Sequence, residues 1–229
     1  STDITVSGTA NGGVPAVSNF AGSGTTYTFN VLRGSSDGTV LVSIPATVAT
    51  DAATNPNTAS NTYALTIDST GPTVAITSST ASNSTTTSST TLSYTATFSE
   101  SVINFTSTDI TTSGTANGGT PAVSNFAGSG TTYTFDVLRG TSDGTVDVSV
   151  GAATATDAAT NPNTASNTYT LTIDTTGPTV IITSSPVSGS TTGATTLNYT
   201  ATFSESVINF TSTDITVSGT ANGGVPAVS

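Results

Sequence analysis

Ser1–Phe20 reads STDITVSGTANGGVPAVSNF, and the same words return twice. They recur at Ser107–Phe126 as STDITTSGTANGGTPAVSNF and at Ser212–Ser229 as STDITVSGTANGGVPAVS. The offsets are 106 and then 105 residues, the difference falling in the loop after Val74 and Val180. Solenoid repeats have periods of roughly 20–50 residues, so a unit of this length is a whole domain copied in tandem. The frame comes from two Pro-bearing junctions, IDSTGPTV at Ile67–Val74 and IDTTGPTV at Ile173–Val180. Each closes one apolar alternation and opens the next, and Pro72 and Pro178 suit the first residue of a strand but not the middle of a sheet. Residues 1–70 are then the back part of one copy, 71–176 a complete copy, and 177–229 the front part of a third. A sequence that begins and ends inside copies reads as a stretch of a longer array or of a continuous polymer.

Within the complete copy, period-2 alternation between turn signals predicts strands at Val74–Thr77, Thr91–Phe98, Asp109–Ser113, Pro121–Phe126, Thr132–Leu138, Thr145–Val150 and Asn167–Ile173, with a tight turn at Asn117-Gly118. Leu92, Tyr94, Ala96 and Phe98 share one face, as do Tyr133, Phe135 and Val137. Tyr63, Tyr94, Tyr133 and Tyr169 all fall in core-facing phase. The expected fold is all-β: tandem immunoglobulin-like β-sandwiches of about seven strands each, strung as beads. Burying one face of each strand, at about 1.5–3 kcal/mol per large apolar side chain, supplies a core without disulfides.

Composition narrows function sharply. The 229 residues carry no Cys, Met, Trp, His, Lys or Gln; Ser and Thr fill roughly two-fifths, and the net charge is −11. Without His or Cys there is no ordinary zinc, haem or iron–sulfur site and no Ser–His–Asp triad or thiol nucleophile. Two arginines in a field of that sign cannot neutralise a phosphate backbone, which excludes nucleic acid as a partner. No run of about 18 apolar residues is present, so no membrane-spanning helix is expected. The chain reads as a non-enzyme.

FSESVINFTSTDI at Phe98–Ile110 and Phe203–Ile215, followed by GTTYTF and ATDAATNPN, resembles the bacterial Ig-like repeats of large secreted adhesins and biofilm-associated surface proteins. The order of the pieces follows that family across the whole chain. Thr54 and Thr160 stand where the family often has Gly, and Gly71 and Gly177 where Ala is common. The resemblance implies an extracellular or bacterial cell-surface location and a mechanical or adhesive role, with Ca²⁺ often stiffening the joints.

The acids point to the same place independently. In a sandwich of ordinary strand order, the B–C loop, the start of strand C and the F–G loop meet the incoming linker at one pole. Asp68 lies in the linker, Glu100 begins the B–C loop, Asp109 opens strand C and Asp157 sits in the F–G loop; Arg139 falls at the opposite pole. Converging carboxylates repel unless protonated or bridged by a cation, and hard oxygen ligands suit Ca²⁺. A joint site at Asp68, Glu100, Asp109 and Asp157 is therefore expected, with Asp174, Glu205 and Asp214 as the incomplete equivalent before the next copy. The competing reading makes these ordinary turn acids, Asp157 in an Asx-turn. Asp37 and Asp143, in SDGT, read as plain turn residues.

Asn83, Asn104, Asn198 and Asn209 occupy N-x-S/T sequons, a pattern common by chance in so Thr-rich a chain. The function expected is a structural repeat that forms or extends a fibre, sheath or giant adhesin. Its partners would be neighbouring copies of itself, which in a filament could complete each other's sandwiches. The alternative is a carbohydrate- or receptor-binding adhesin module taking surface glycans, which predicts exposed aromatics. An accessory domain of a secreted hydrolase would need a catalytic neighbour.

Overall fold

The computed structural model describes residues 3–10, 16–116 and 121–219. The chain divides into two compact units, Ser1–Asp174 and Thr175–Ser229, and it is all-β. Among the described residues the only helical pieces are single 3₁₀ turns at Ser107–Asp109 and Ser212–Asp214. The abundance of Thr, Val and Ile explains this, since β-branched side chains favour the pleated backbone. The expected turn at Asn117-Gly118 lies outside the described residues.

The leading part carries β1 (Thr5–Ser7), β2 (Ala16–Ser23), β3 (Thr26–Leu32), β4 (Gly38–Ser43) and β5 (Tyr63–Ile67). They form an antiparallel sheet in the order β1-β4-β5 and a separate β2-β3 hairpin. The complete copy carries β6 (Val74–Ser78), β7 (Thr85–Thr87), β8 (Thr91–Val102), β9 (Ile110–Ser113), β10 (Ala122–Leu138), β11 (Gly144–Val150) and β12 (Tyr169–Ile173). Two sheets result, β10-β8-β6 and β7-β12-β11-β9. The second unit contributes β13 (Val180–Ser185) paired with β14 (Asn198–Phe203). Within the first unit, among the described residues, no ladder joins strands from opposite sides of Gly71.

One core fills the space between the two sheets of the complete copy. Val74, Ile76, Leu92, Tyr94, Ala96, Phe98, Phe135 and Val137 come from one sheet, and Ile110, Val146, Val148, Val150, Leu171 and Ile173 from the other. The alternation predicted for β8, β11 and β12 is the alternation of burial observed. Phe105, on the connection after β8, closes one end by packing edge-on against Phe98 and Tyr133. Asn167 ties the two sheets where no ladder does: its Oδ1 accepts from Ile76 N at 2.8 Å and its Nδ2 donates to Ile76 O at 3.1 Å.

Three details differ from the expected strands. Residues 122–138 form one extended run that doubles back on itself, rather than two separate strands. Asn125 Nδ2 reaches Asp136 Oδ2 at 2.8 Å, and a Cβ on Gly128 would meet the Thr132 carbonyl at 2.3 Å, the arrangement that Gly22 has with Thr26 across the β2-β3 hairpin. The second difference is β7, which pairs parallel with β12 and consists only of threonines. It has no apolar alternation for sequence reading to detect. Third, Tyr94, Tyr133 and Tyr169 are buried as expected, but Tyr63 is exposed.

Candidate metal centre at the joint before the complete copy

The loop between β11 and β12 carries TDAATNPN, which folds as a closed turn around one carboxylate. Asn161 donates its backbone N–H to Asp157 Oδ1 and its side-chain amide to Asp157 Oδ2, each at 2.9 Å, while Thr160 N–H reaches the Asp157 carbonyl at 3.2 Å. Thr160 takes φ +69° to make the turn. That left-handed conformation costs an ordinary L-residue roughly 1–2 kcal/mol and explains why glycine suits the position. The leading copy builds the same turn, with Asn55 on Asp51 at 2.9 Å twice and Thr54 at φ +68°. The turn is thus a local product of its sequence.

The complete copy adds a joint to that turn. Asn161 Nδ2 also donates to the Asp68 carbonyl at 3.2 Å, and Gly71 approaches so closely that a Cβ there would stand 2.1 Å from the Pro162 carbonyl. Only glycine permits this contact. Thr73 and Ser99 exchange hydrogen bonds at the mouth of β6 and β8, which sets Glu100 beside the linker. Asp68, Glu100 and Asp157 consequently offer carboxylate oxygens that all lie within 4.8 Å of one another. Asp157 is 2 % exposed, and the other two are half-buried.

The electrostatics follow from this crowding. Burial raises the Glu100 carboxyl above its ordinary value, and Asp68, Asp157 and Asp37 raise it further. Burial also pushes Asp157 up, but the side-chain amide and N–H of Asn161, with the N–H groups of Ala159 and Thr160, hold it below the ordinary range. Asp157 is the fixed anion of the group, and Glu100 takes the strain. Two ligands on opposite sides of a Ca²⁺ ion stand roughly 4.8 Å apart, so the spacing fits a hard divalent cation held by oxygens.

Sequence reasoning placed four acids at this joint, and three are brought together. Glu100 lies inside β8, which runs to Val102, rather than opening a loop. Asp109 is held elsewhere: its Oδ2 accepts from Thr106 N at 2.7 Å and Thr106 Oγ1 at 2.9 Å, capping the 3₁₀ turn before β9. Asp214 caps its own turn in the same way, on Thr211 at 2.8 and 3.0 Å. Asp174 ends the first unit, its N–H bonded to Thr87 O at 3.1 Å, and Glu205 follows β14 in the second unit, exposed.

Asp37 is the residue that sequence reading undervalued. Its Oδ1 accepts from Ser69 N at 2.7 Å and Ser69 Oγ at 2.6 Å, and its Oδ2 from Thr70 Oγ1. These bonds from Ser69 and Thr70 hold its carboxyl below the ordinary value and latch the linker. The contact spans 32 residues, so no local motif could reveal it. At the opposite pole Arg139 donates to the carbonyls of Ser89 at 2.7 Å, Gly140 at 2.9 Å and Ser88 at 3.3 Å.

Comparison with protein-family models, with curated proteins and with solved structures returns no match.

Proposed function

We propose that the chain is a structural, non-catalytic repeat protein, built of tandem immunoglobulin-like sandwiches that extend a fibre, sheath or large adhesin at a bacterial cell surface, with Ca²⁺ stiffening the joints. The observation that carries this reading is the contrast between copying and concentration. One strand-built unit is repeated almost verbatim, while the carboxylates gather where one copy meets the next. The strand orders support the immunoglobulin-like assignment. With β6, β8 and β10 read as A, B and the D–E hairpin, and β9, β11 and β12 as C, F and G, the sheets correspond to ABED and CFG. Asp68, Glu100 and Asp157 would hold the ion, which would supply charge neutralisation and a rigid link between linker, strand and loop. The copying supports a role in length, since each copy adds a fixed increment.

A glycan-binding role gains nothing from the aromatics. Tyr27, Tyr63 and Tyr199 are exposed, but their equivalents Tyr133, Tyr169 and Tyr94 are core residues in the complete copy. Thermal unfolding with millimolar Ca²⁺ against excess chelator tests the joint. The melting temperature is expected to rise with Ca²⁺ and to stay unmoved by Mg²⁺ at the same concentration. An identical transition under all three conditions removes Ca²⁺ from the proposal.

A further inference from the structure

The first and the last segments of the complete copy are zipped together side by side. Where the chain enters, Thr164 N–H donates to the Pro72 carbonyl at 2.9 Å, and Asn167 brackets Ile76 through both ends of its amide. Further along, the Tyr169 hydroxyl donates to the Ala81 carbonyl at 2.7 Å and Thr170 N–H to Asn83 Oδ1 at 2.8 Å. Ser84 N–H then reaches the Thr170 carbonyl at 2.8 Å, and β7 and β12 pair from Thr85 opposite Leu171 to Thr87 opposite Ile173. Asp174 N–H closes the seam on the Thr87 carbonyl at 3.1 Å. Residue numbers rise together on both sides, so the seam is parallel from end to end.

This direction decides how the seam meets a load. The chain enters the copy at one end of the seam, beside Pro72, and leaves it at the other, after Asp174. Tension along the chain pulls residues 72–87 backwards and 164–174 forwards, along the seam and in opposite senses. Bonds loaded in that way share the force and must yield together. Antiparallel first and last segments would put both chain ends at one end of the seam, and the bonds would then yield one at a time.

A second observation points the same way. Strand β7 is three threonines, two exposed and one half-buried, so it adds no apolar side chain to the core. What it contributes is the ladder itself. Both β6 and β7 are edge strands of their sheets, so no strand lies beyond them to take over the load.

We infer that this seam is a shear clamp that carries tension through the complete copy, a load-bearing function separate from the stiffening of joints by a cation. The inference rests on the reading of the chain as repeated copies that extend a fibre.

The chain has no cysteine, so introduced cysteines set the direction of pull. Held by its two termini in a force spectrometer, the full chain loads the seam in shear. Held at Ser88→Cys and Gly177→Cys, it opens the seam from the Thr87 end, as a zipper. Ser88 is exposed and a Cβ on Gly177 meets nothing within 4 Å, so both handles leave the fold intact. Forced unfolding reads the barrier to opening, and the first rupture of the seam should need about twofold more force in shear than as a zipper. In shear it should release about 3.5 Å for every residue from Gly71 to Asp174. Asn83→Ala combined with Asn167→Ala should lower the shear force and leave the zipper force unmoved, since the zipper breaks the Thr87 end first. Asn125→Ala, which cuts a bond of the β10 hairpin away from the seam, should change neither. Equal forces in the two directions, or a double variant that weakens both alike, overturn the clamp and keep the copies. A shear pull that never releases 71–174 as one length overturns the reading as sandwich copies.

Discussion

Tyr169 and Leu171 in the complete copy are 7 % and 0 % exposed; Tyr63 and Leu65, the same residues of the same strand in the leading part, are 63 % and 52 % exposed. The sequences around them are nearly identical and both form strands. The difference lies in β6 and β8, whose sheet faces Tyr169 and Leu171; among the described residues no such sheet faces Tyr63 and Leu65. Local pattern therefore makes the strand, and the facing sheet makes the core. An apolar face left open to water gains little from its pattern until something covers it.

Leu171→Ala against Leu65→Ala breaks this comparison most directly. The first opens a cavity between two sheets and should cost about 3 kcal/mol, and the second, at an exposed residue, should cost under about 1 kcal/mol. Urea unfolding followed by tyrosine fluorescence measures both. Equal costs would mean that Leu65 is covered in solution.

Tyr94→Phe against Tyr199→Phe is the next in size. The Tyr94 hydroxyl is buried with no hydrogen-bond partner, and burial, with Tyr169 and Asp147 nearby, pushes its ionisation well up. Removing an unsatisfied buried hydroxyl should stabilise the complete copy by about 1 kcal/mol. The same change at exposed Tyr199 should leave stability unmoved. The two variants' denaturant midpoints decide it.

The smallest effect is confined to the joint. Glu100 is raised in the folded state, so the folded chain holds its proton more tightly than the unfolded chain does. Stability then falls as pH rises from the ordinary carboxyl range through the raised value of Glu100. Asp37 and Asp157 are lowered and act oppositely, their contribution being lost as pH falls through their depressed values. Without Ca²⁺ the joint should thus be firmest in weak acid. Glu100→Gln should remove the loss toward neutral pH and abolish the response to Ca²⁺. A pH series of melting curves, with and without the cation, reads both effects.

Much of this was legible in the residues. The copied words fixed the domain length, and alternation gave the phase of β8, β11 and β12 because one face of each strand must be dry. Glu100, Asp68 and Asp157 could be brought to one pole because strand order alone determines which ends meet. What escaped had no local signature. The all-threonine β7 offers no alternation, and the Asp37 latch joins residues far apart in sequence. Asp109 was misjudged although Thr106-Ser-Thr-Asp109 carries a capping pattern, because side-chain-to-backbone bonds in a turn claimed its carboxylate first.

Arg139 has a consequence at the scale of the array. Its guanidinium donates to three carbonyls, so it serves as a staple. The complete copy carries Glu100, Asp109, Asp136, Asp143, Asp147, Asp157 and Asp174 against that single arginine. A string of such units is a polyelectrolyte. It should straighten in dilute salt, relax once the screening length falls to about 10 Å near 0.1 M, and pack side by side only where ions condense between neighbouring strings.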